Sequence, residues 1–475
     1  MEKKPFVHPY MPNSAPEIKE EMLKEIGVSS IEEIYRSQIP EDLLYKERLH
    51  LPEPIQSEYE LKKHVMGILN QNKTSEEYSS FLGAGCYRHQ VPAVCDEINS
   101  RGEFLTGYCG DTYSDHGKMQ AFFEYASMTA ELLDMDEVSY TSYDGGQAVL
   151  SSLRTALRYK EAAGTPKDSV LVPSTMNPEI YSMAQSYIRN VAKVIKVKAD
   201  PKSGRMDLAD LEQKLCTENA AAVFYENPSY LGFFETQARE IADLAHAHDA
   251  LCVAMPDAAS LGIIESPANM GADICCGDIQ PLGMHMQFGG GQAGFMACQQ
   301  DIEMLKQFPT YMYGICRTEK DGTYGWGRAQ NYRCSHGSRE KAREYFGTET
   351  GLWGITAGVY LASMGPRGMY ELGENILRIT KYAEQKLSGI PGIRVNLLGG
   401  QNFQEFLINF DDCGKTVSEI NAELLQKKIF GGKDISAEFP EYGQSALYCF
   451  SELTTEEEII NLRDALAEAA AKEVR

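Results

Sequence analysis

Between residues 169 and 256 short apolar runs alternate with helical stretches, and no other feature of the sequence restricts the fold as much. Val170 to Val172, Val191 to Val197, Ala221 to Tyr225 and Leu251 to Met255 are too short to be buried helices. A helical stretch of about a dozen residues separates each from the next, Arg239 to His248 being one of them. Near-continuous apolar strands suit a sheet buried on both faces, and a helix between successive strands lets neighbours run parallel. The pattern predicts βαβ units with right-handed crossovers, giving a parallel-rich sheet of the α/β class covered by helices.

On either side the period changes. Ser14, Pro16 and Glu17, followed by Ile18, Met22, Leu23, Ile26 and Gly27, have the spacing of a capped amphipathic helix, and a second short helix is expected from Ser30 to Arg36. Ile39 to Ser57 carries Pro40, Pro52 and Pro54 among charged residues and reads as an extended arm. A long helix is expected from about residue 119 through Phe122, Tyr125, Met128 and Leu132. Beyond Ser363 the order is a long helix, strand-like runs at Ile393 to Leu398 and Phe406 to Phe410, a helix, a strand at Ala446 to Phe450 and a closing helix from Thr455. The expected division is N-terminal helices and arm over 1–70, a large α/β domain over 71–365 and a small α+β domain over 366–475.

Composition serves by exclusion. A net charge of -23 argues against a nucleic-acid partner, which needs clustered Lys and Arg. The N-terminus is charged at once and lacks an apolar h-region, so neither secretion nor membrane insertion is expected and the cytoplasm is the default. Twelve Cys lie scattered without CxxC pairs, Cys275 and Cys276 being the only adjacent two, which reads as small buried hydrophobes rather than a disulfide frame or a metal site.

In a parallel sheet, ligands bind beyond the carboxyl ends of the strands, where helix N-termini favour anions. Gly145 and Gly146, in Tyr143-Asp144-Gly145-Gly146-Gln147-Ala148, open a helix and offer backbone N–H groups to a phosphate; the alternative is a plain tight turn. Asp257 ends the run Leu251 to Pro256, where a carboxylate can pair with the pyridinium nitrogen of pyridoxal phosphate; equally, it can cap the next turn. Such a cofactor is held covalently by a lysine, yet no lysine occurs between Lys214 and Lys306, and Gln280 stands in the expected slot. An amide nitrogen cannot take that role, so a chain of this fold does not run the chemistry alone. Tyr87, Arg88 and His89, after the Gly83/Gly85 pair, supply hydroxyl, guanidinium and imidazole donors for a carboxylate or phosphate, His89 being alternatively a satisfied surface histidine. Thr106 to Ser114 forms a second polar and aromatic loop.

These residues carry a resemblance. Tyr10-Met11-Pro12-Asn13, Phe81 to His89 with Val91-Pro92, Phe123-Glu124-Tyr125 with Glu131-Leu132, Tyr143-Asp144-Gly145, Asp257 with Leu261-Gly262, Gly271-Ala272-Asp273-Ile274, Gln280-Pro281-Leu282-Gly283, Phe288-Gly289-Gly290, Arg339-Glu340-Lys341-Ala342 and Phe439-Pro440-Glu441 form an ordered series over most of the chain. The series resembles subunit 1, the lysine-less subunit, of the split glycine dehydrogenase (decarboxylating). The resemblance implies an aspartate-aminotransferase-like fold and a heterotetramer with a lysine-bearing subunit 2 that holds the pyridoxal phosphate. It also implies decarboxylation of glycine with transfer of the aminomethyl group to the lipoyl arm of a small carrier protein. Tyr87, Arg88 and His89 are then expected to face the partner's cofactor pocket. Two stretches depart from the pattern, Cys109 to His116 and Arg343 to Glu349, both where active-site contacts are expected. The alternatives are a diverged paralogue acting with its partner on another small amino acid, and a non-catalytic scaffold.

Overall fold

Seven strands form the central sheet of this computed structural model. The structure describes residues 7–47, 49–105, 117–287, 292–310, 312–328, 340 and 350–471. From edge to edge the strands are Glu137–Val138, Gly294–Cys298, Ile274–Asp278, Leu251–Pro256, Ala220–Asn227, Ser169–Pro173 and Lys193–Val197. The five from Ile274–Asp278 to Lys193–Val197 run parallel, and the first two pair antiparallel. The parallel-rich α/β sheet expected from the alternation is therefore present, with an antiparallel edge that the alternation did not announce.

Side-chain alternation explains the layering. Leu171, Val223, Tyr225, Cys252, Ala254 and Cys275 point to one face, where they meet Tyr125, Leu133, Leu211, Ile241 and Tyr360. Val170, Val172, Ala222, Phe224, Val253 and Cys276 point to the other, against Ala148, Leu153, Ile180 and Ala184. Both faces are covered, which is why the middle of each of these strands is apolar on both sides, with polar residues confined to the strand ends. Seven of the ten described cysteines are buried in this way or in the C-terminal lobe. No group of His, Cys, Asp or Glu among the described residues converges as a metal site.

The helix Gly351–Leu387 leaves this sheet and breaks at Gly365, whose φ of 62° is left-handed backbone that favours glycine, with Pro366 following. We propose that kink as the boundary between the large and small domains. Beyond it, the antiparallel strands Arg394–Val395, Glu405–Asn409, Ser445–Cys449 and Lys433–Asp434 pair in that order. The helices Val417–Gln426 and Glu456–Ala469 each start in a capping box, Thr416 with Glu419 and Thr455 with Glu458. Phe406, Ile408, Leu424, Tyr448 and Leu462 fill the core of this lobe, and Phe81, from far upstream, joins it.

Residues Met1–Lys73 form a separate compact unit from Thr74–Arg475. Its helices are Pro16–Ile26, Ile31–Gln38 and Glu58–Leu69, and none contains a buried residue. The first is preceded by Ala15 without a side-chain cap; the Ser14 hydroxyl instead donates to the Met11 carbonyl. The third helix was not anticipated by the sequence pattern. Among the described residues no helix is long and apolar enough to cross a membrane.

Candidate functional site

A cleft opens at the carboxyl ends of Ala220–Asn227, Leu251–Pro256 and Ile274–Asp278. Its lining includes Gly85, Tyr87, Asn177, Glu226, Ser229, Tyr230, Asp257 and Asp278. Among the described lining residues there is no Lys, Arg or His.

The loop Gly83–Pro92 forms one wall because neighbours grip it along its length. Gly83 lies so close to the C-terminal lobe that a Cβ there would stand 2.3 Å from Glu405 Oε1. Ala84 N–H donates to Glu405 Oε1 at 2.6 Å, and the Tyr87 hydroxyl donates to Glu405 Oε2 at 3.0 Å. Burial raises the Glu405 carboxyl to about 7 against those two donors. Gln280 clamps the same loop, its Oε1 accepting from Tyr87 N–H at 3.1 Å and its Nε2 donating to the Tyr87 carbonyl at 2.8 Å. Gln280 Nε2 also donates to the Met284 carbonyl at 3.1 Å, and the residue is 1% exposed.

The three neighbouring donors do not converge. Tyr87 lines the cleft. His89 is buried, its Nδ1 2.8 Å from Glu452 Oε2, while Gln90 N–H donates to Glu452 Oε1 at 2.6 Å. Burial disfavours the charged imidazole, but Glu452 and Asp257 outweigh it and raise the His89 pKa; the same pairing lowers that of Glu452 in spite of burial. Both directions describe an imidazolium–carboxylate pair. Arg88 turns away and lines a separate small cavity with Ser451 and Glu458. Tyr87, Arg88 and His89, expected as donors for a carboxylate or phosphate, thus have different surroundings within this chain, since successive side chains on an extended loop point to different sides.

The seat for a cofactor phosphate is filled from within. Asp144 caps the helix Gly145–Ala162, accepting from Gln147 N–H at 2.6 Å. Gly145 N–H donates to Asp278 Oδ2 at 3.0 Å, and a Cβ on Gly145 would come within 2.9 Å of Asp278 Cβ. Gly145 is glycine for this contact, and its N–H is not offered to an external phosphate. Gly146 abuts Asp144 and Met183. Asp257 Oδ1 accepts from Ala259 N–H and Oδ2 from Gln404 Nε2, each at 2.8 Å, so Asp257 caps its turn as well as facing the cleft. Burial raises its pKa, and it raises Asp278 to about 7. An engaged amide at Gln280, where the sequence expectation puts a lysine, a carboxylate on the Gly145 N–H and no cation among the described lining residues do not fit pyridoxal phosphate at this cleft.

Glu226, Asp278, Gln404, Glu405 and Glu452 escaped the sequence reading. Glu226 and Asp278 had a signal, since each ends an apolar run as Asp257 follows one. Gln404, Glu405 and Glu452 had none, because they arrive from the C-terminal lobe. The loops Thr106–Ser114 and Arg343–Glu349 and the Phe288-Gly289-Gly290 segment lie outside the described residues, as do Arg339, Lys341 and Ala342.

Residues 8–466 match the sequence model of the glycine cleavage system P-protein family. A relative from Pyrococcus horikoshii named "Probable glycine dehydrogenase (decarboxylating) subunit 1" is 37% identical over 97% of this chain and 99% of its own length. One of the same name from Carboxydothermus hydrogenoformans is 36% identical over 96% of this chain and 99% of its own. Among solved structures, glycine decarboxylase (P-protein) of the glycine cleavage system in inhibitor-bound form superposes with a TM-score of 0.84 at 29% identity, covering 98% of this chain and 100% of that one. A sphingosine-1-phosphate lyase from Burkholderia pseudomallei, at 14% identity and a TM-score of 0.66 over 92% of this chain and 94% of that one, shares the fold.

Proposed function

The chain belongs to the glycine cleavage system P-protein family, and from that premise we propose that it is the subunit of a two-subunit glycine decarboxylase that does not itself hold pyridoxal phosphate. Its partner is a lysine-bearing subunit 2 homologue, two of each forming a cytoplasmic heterotetramer. Glycine loses carbon dioxide, and its aminomethyl group passes to the lipoyl arm of the carrier H protein. Pyridoxal phosphate on the partner supplies the electron sink.

The observation that carries this reading is Gln280, which stands in the lysine slot with both ends of its amide engaged. A side chain so committed shapes the loop Gly83–Pro92 instead of bonding a cofactor. That loop, with Tyr87 half-buried and His89 fixed by Glu452, is this chain's contribution to the surroundings of the partner's site. Co-expression with the lysine-bearing partner tests the proposal. Glycine-dependent exchange of labelled bicarbonate in the presence of the lipoyl carrier is expected only when both chains are present, with one pyridoxal phosphate per partner chain. Exchange by this chain alone would overturn it.

A further inference from the structure

Glu405, 2% exposed at the start of the strand Glu405–Asn409, lies against Tyr87 of the cleft wall. The Tyr87 hydroxyl has one hydrogen, and its hydrogen-bond partner among the described residues is Glu405 Oε2 at 3.0 Å. The other carboxyl oxygen is held differently. Oε1 accepts from Ala84 N–H at 2.6 Å, and Gly83 presses on it so closely that a Cβ there would stand 2.3 Å away. A backbone N–H only donates, so Oε1 remains an acceptor in either charge state and a proton on this carboxyl belongs on Oε2. The ionisable groups that also face Glu405 are Asp257, Lys433, Cys449 and Tyr230. Lys433 Nζ is directed to the Tyr230 hydroxyl at 2.6 Å and to Glu438 Oε1 at 3.0 Å, and burial keeps Cys449 and Tyr230 neutral.

We propose that Glu405 works Tyr87 as a polarity switch. While the carboxyl is charged, Tyr87 donates its only hydrogen to Oε2 and has none to give a ligand of the cleft. Once the carboxyl is protonated, Oε2–H donates to the Tyr87 oxygen, and the phenolic hydrogen is released for an acceptor elsewhere. The 3.0 Å separation suits an O–H···O bond in either direction, so no heavy atom has to move. Burial raises the Glu405 carboxyl to about 7, Asp257 adding to the rise and Lys433 opposing it, which puts the reversal at neutral pH. Glu226 and Asp278 are also raised to about 7, but they accept from backbone N–H groups, which cannot be reversed. Both members of the switch belong to this chain, so it needs no partner subunit.

Infrared difference spectra of the full chain, with tyrosine isotopically labelled at the hydroxyl-bearing ring carbon and taken between pH 6 and pH 8, read the direction of the bond. The C–O band of a tyrosine that only donates differs from that of one that accepts. One such band is expected to shift with a midpoint of about 7, together with a protonated-carboxyl band. Tyr87→Phe should remove that tyrosine shift and move the carboxyl midpoint upward, because the charged form loses a donor. Glu405→Gln, which keeps the shape, should leave the Tyr87 band the same at both ends of the range. A tyrosine band that stays fixed in the parent chain, or a shift that survives either substitution in a folded chain, would overturn the proposal.

Discussion

The Gln280 side chain holds the backbone of Tyr87 by two hydrogen bonds, accepting from its N–H at 3.1 Å and donating to its carbonyl at 2.8 Å, across 193 residues of sequence. The pairing mimics a strand contact made by one amide, and it fixes the loop against the sheet. Gln280 thereby acts as a clamp on that loop.

The purified chain incubated with pyridoxal phosphate and then borohydride is accordingly expected to carry no pyridoxyl group on any lysine. Gln280→Lys alone should not create one, because Asp278 still takes the Gly145 N–H and the cleft stays acidic. Mass spectrometry of the reduced chain decides; a stoichiometric adduct at position 280 would contradict this account.

His89 and Arg88 should separate cleanly in mutagenesis. Removing one member of a buried ion pair costs about 3–5 kcal/mol, so His89→Ala should lower unfolding free energy by that order, whereas Arg88→Ala should stay within about 1 kcal/mol. Chemical denaturation of both variants tests it. In the assembled complex, glycine-dependent exchange should fall roughly a hundredfold for His89→Ala, where the loop loses its anchor, and hardly at all for Arg88→Ala.

The same pair sets a pH window. The raised pKa of His89 gives stability that is full below its unfolded value near about 6.5 and is lost as pH rises through the folded value. The lowered pKa of Glu452 gives stability that is full above about 4.3 and is lost as pH falls through its folded value. The stability difference between the parent and His89→Gln should therefore peak between about pH 4.3 and 6.5. A difference that grows steadily towards pH 9 would rule this out.

Glu405 acts with the opposite sign to Glu452. Its carboxyl is raised to about 7 by burial, so the folded state holds the proton longer than the unfolded chain and loses stability as pH climbs from about 4.3 to about 7. Glu405→Gln should flatten that part of the stability profile, as thermal unfolding at stepped pH can show. An unchanged slope would mean that another group sets it.

Deleting residues 1–73 should leave Thr74–Arg475 folded while weakening assembly with the lysine-bearing partner. Ile18, Met22, Leu61, Val65 and Ile68 of that unit are exposed, a scale of apolar exposure expected of a surface that binds another chain. Circular dichroism and size-exclusion chromatography with the partner give the two readouts. Undiminished assembly would remove the arm from the interface.

The sequence by itself determined the sheet and the missing lysine. Val170 to Val172 and Leu251 to Met255 are apolar without a break, and a strand that is covered on both faces must be so. Absence of a lysine from residue 215 to residue 305 is a fact of composition that no packing can alter. Only the tertiary structure decided which way each candidate faces. Tyr87, Arg88 and His89 are consecutive, yet one lines the cleft, one lines another cavity and one is sealed against Glu452, because their partners lie more than 300 residues away in a lobe the loop must touch. Gly145 reads locally as an anion seat, and what fills it is Asp278, 133 residues further on. Local period reports which faces are buried; the field inside a cleft is the sum over groups that only folding brings together.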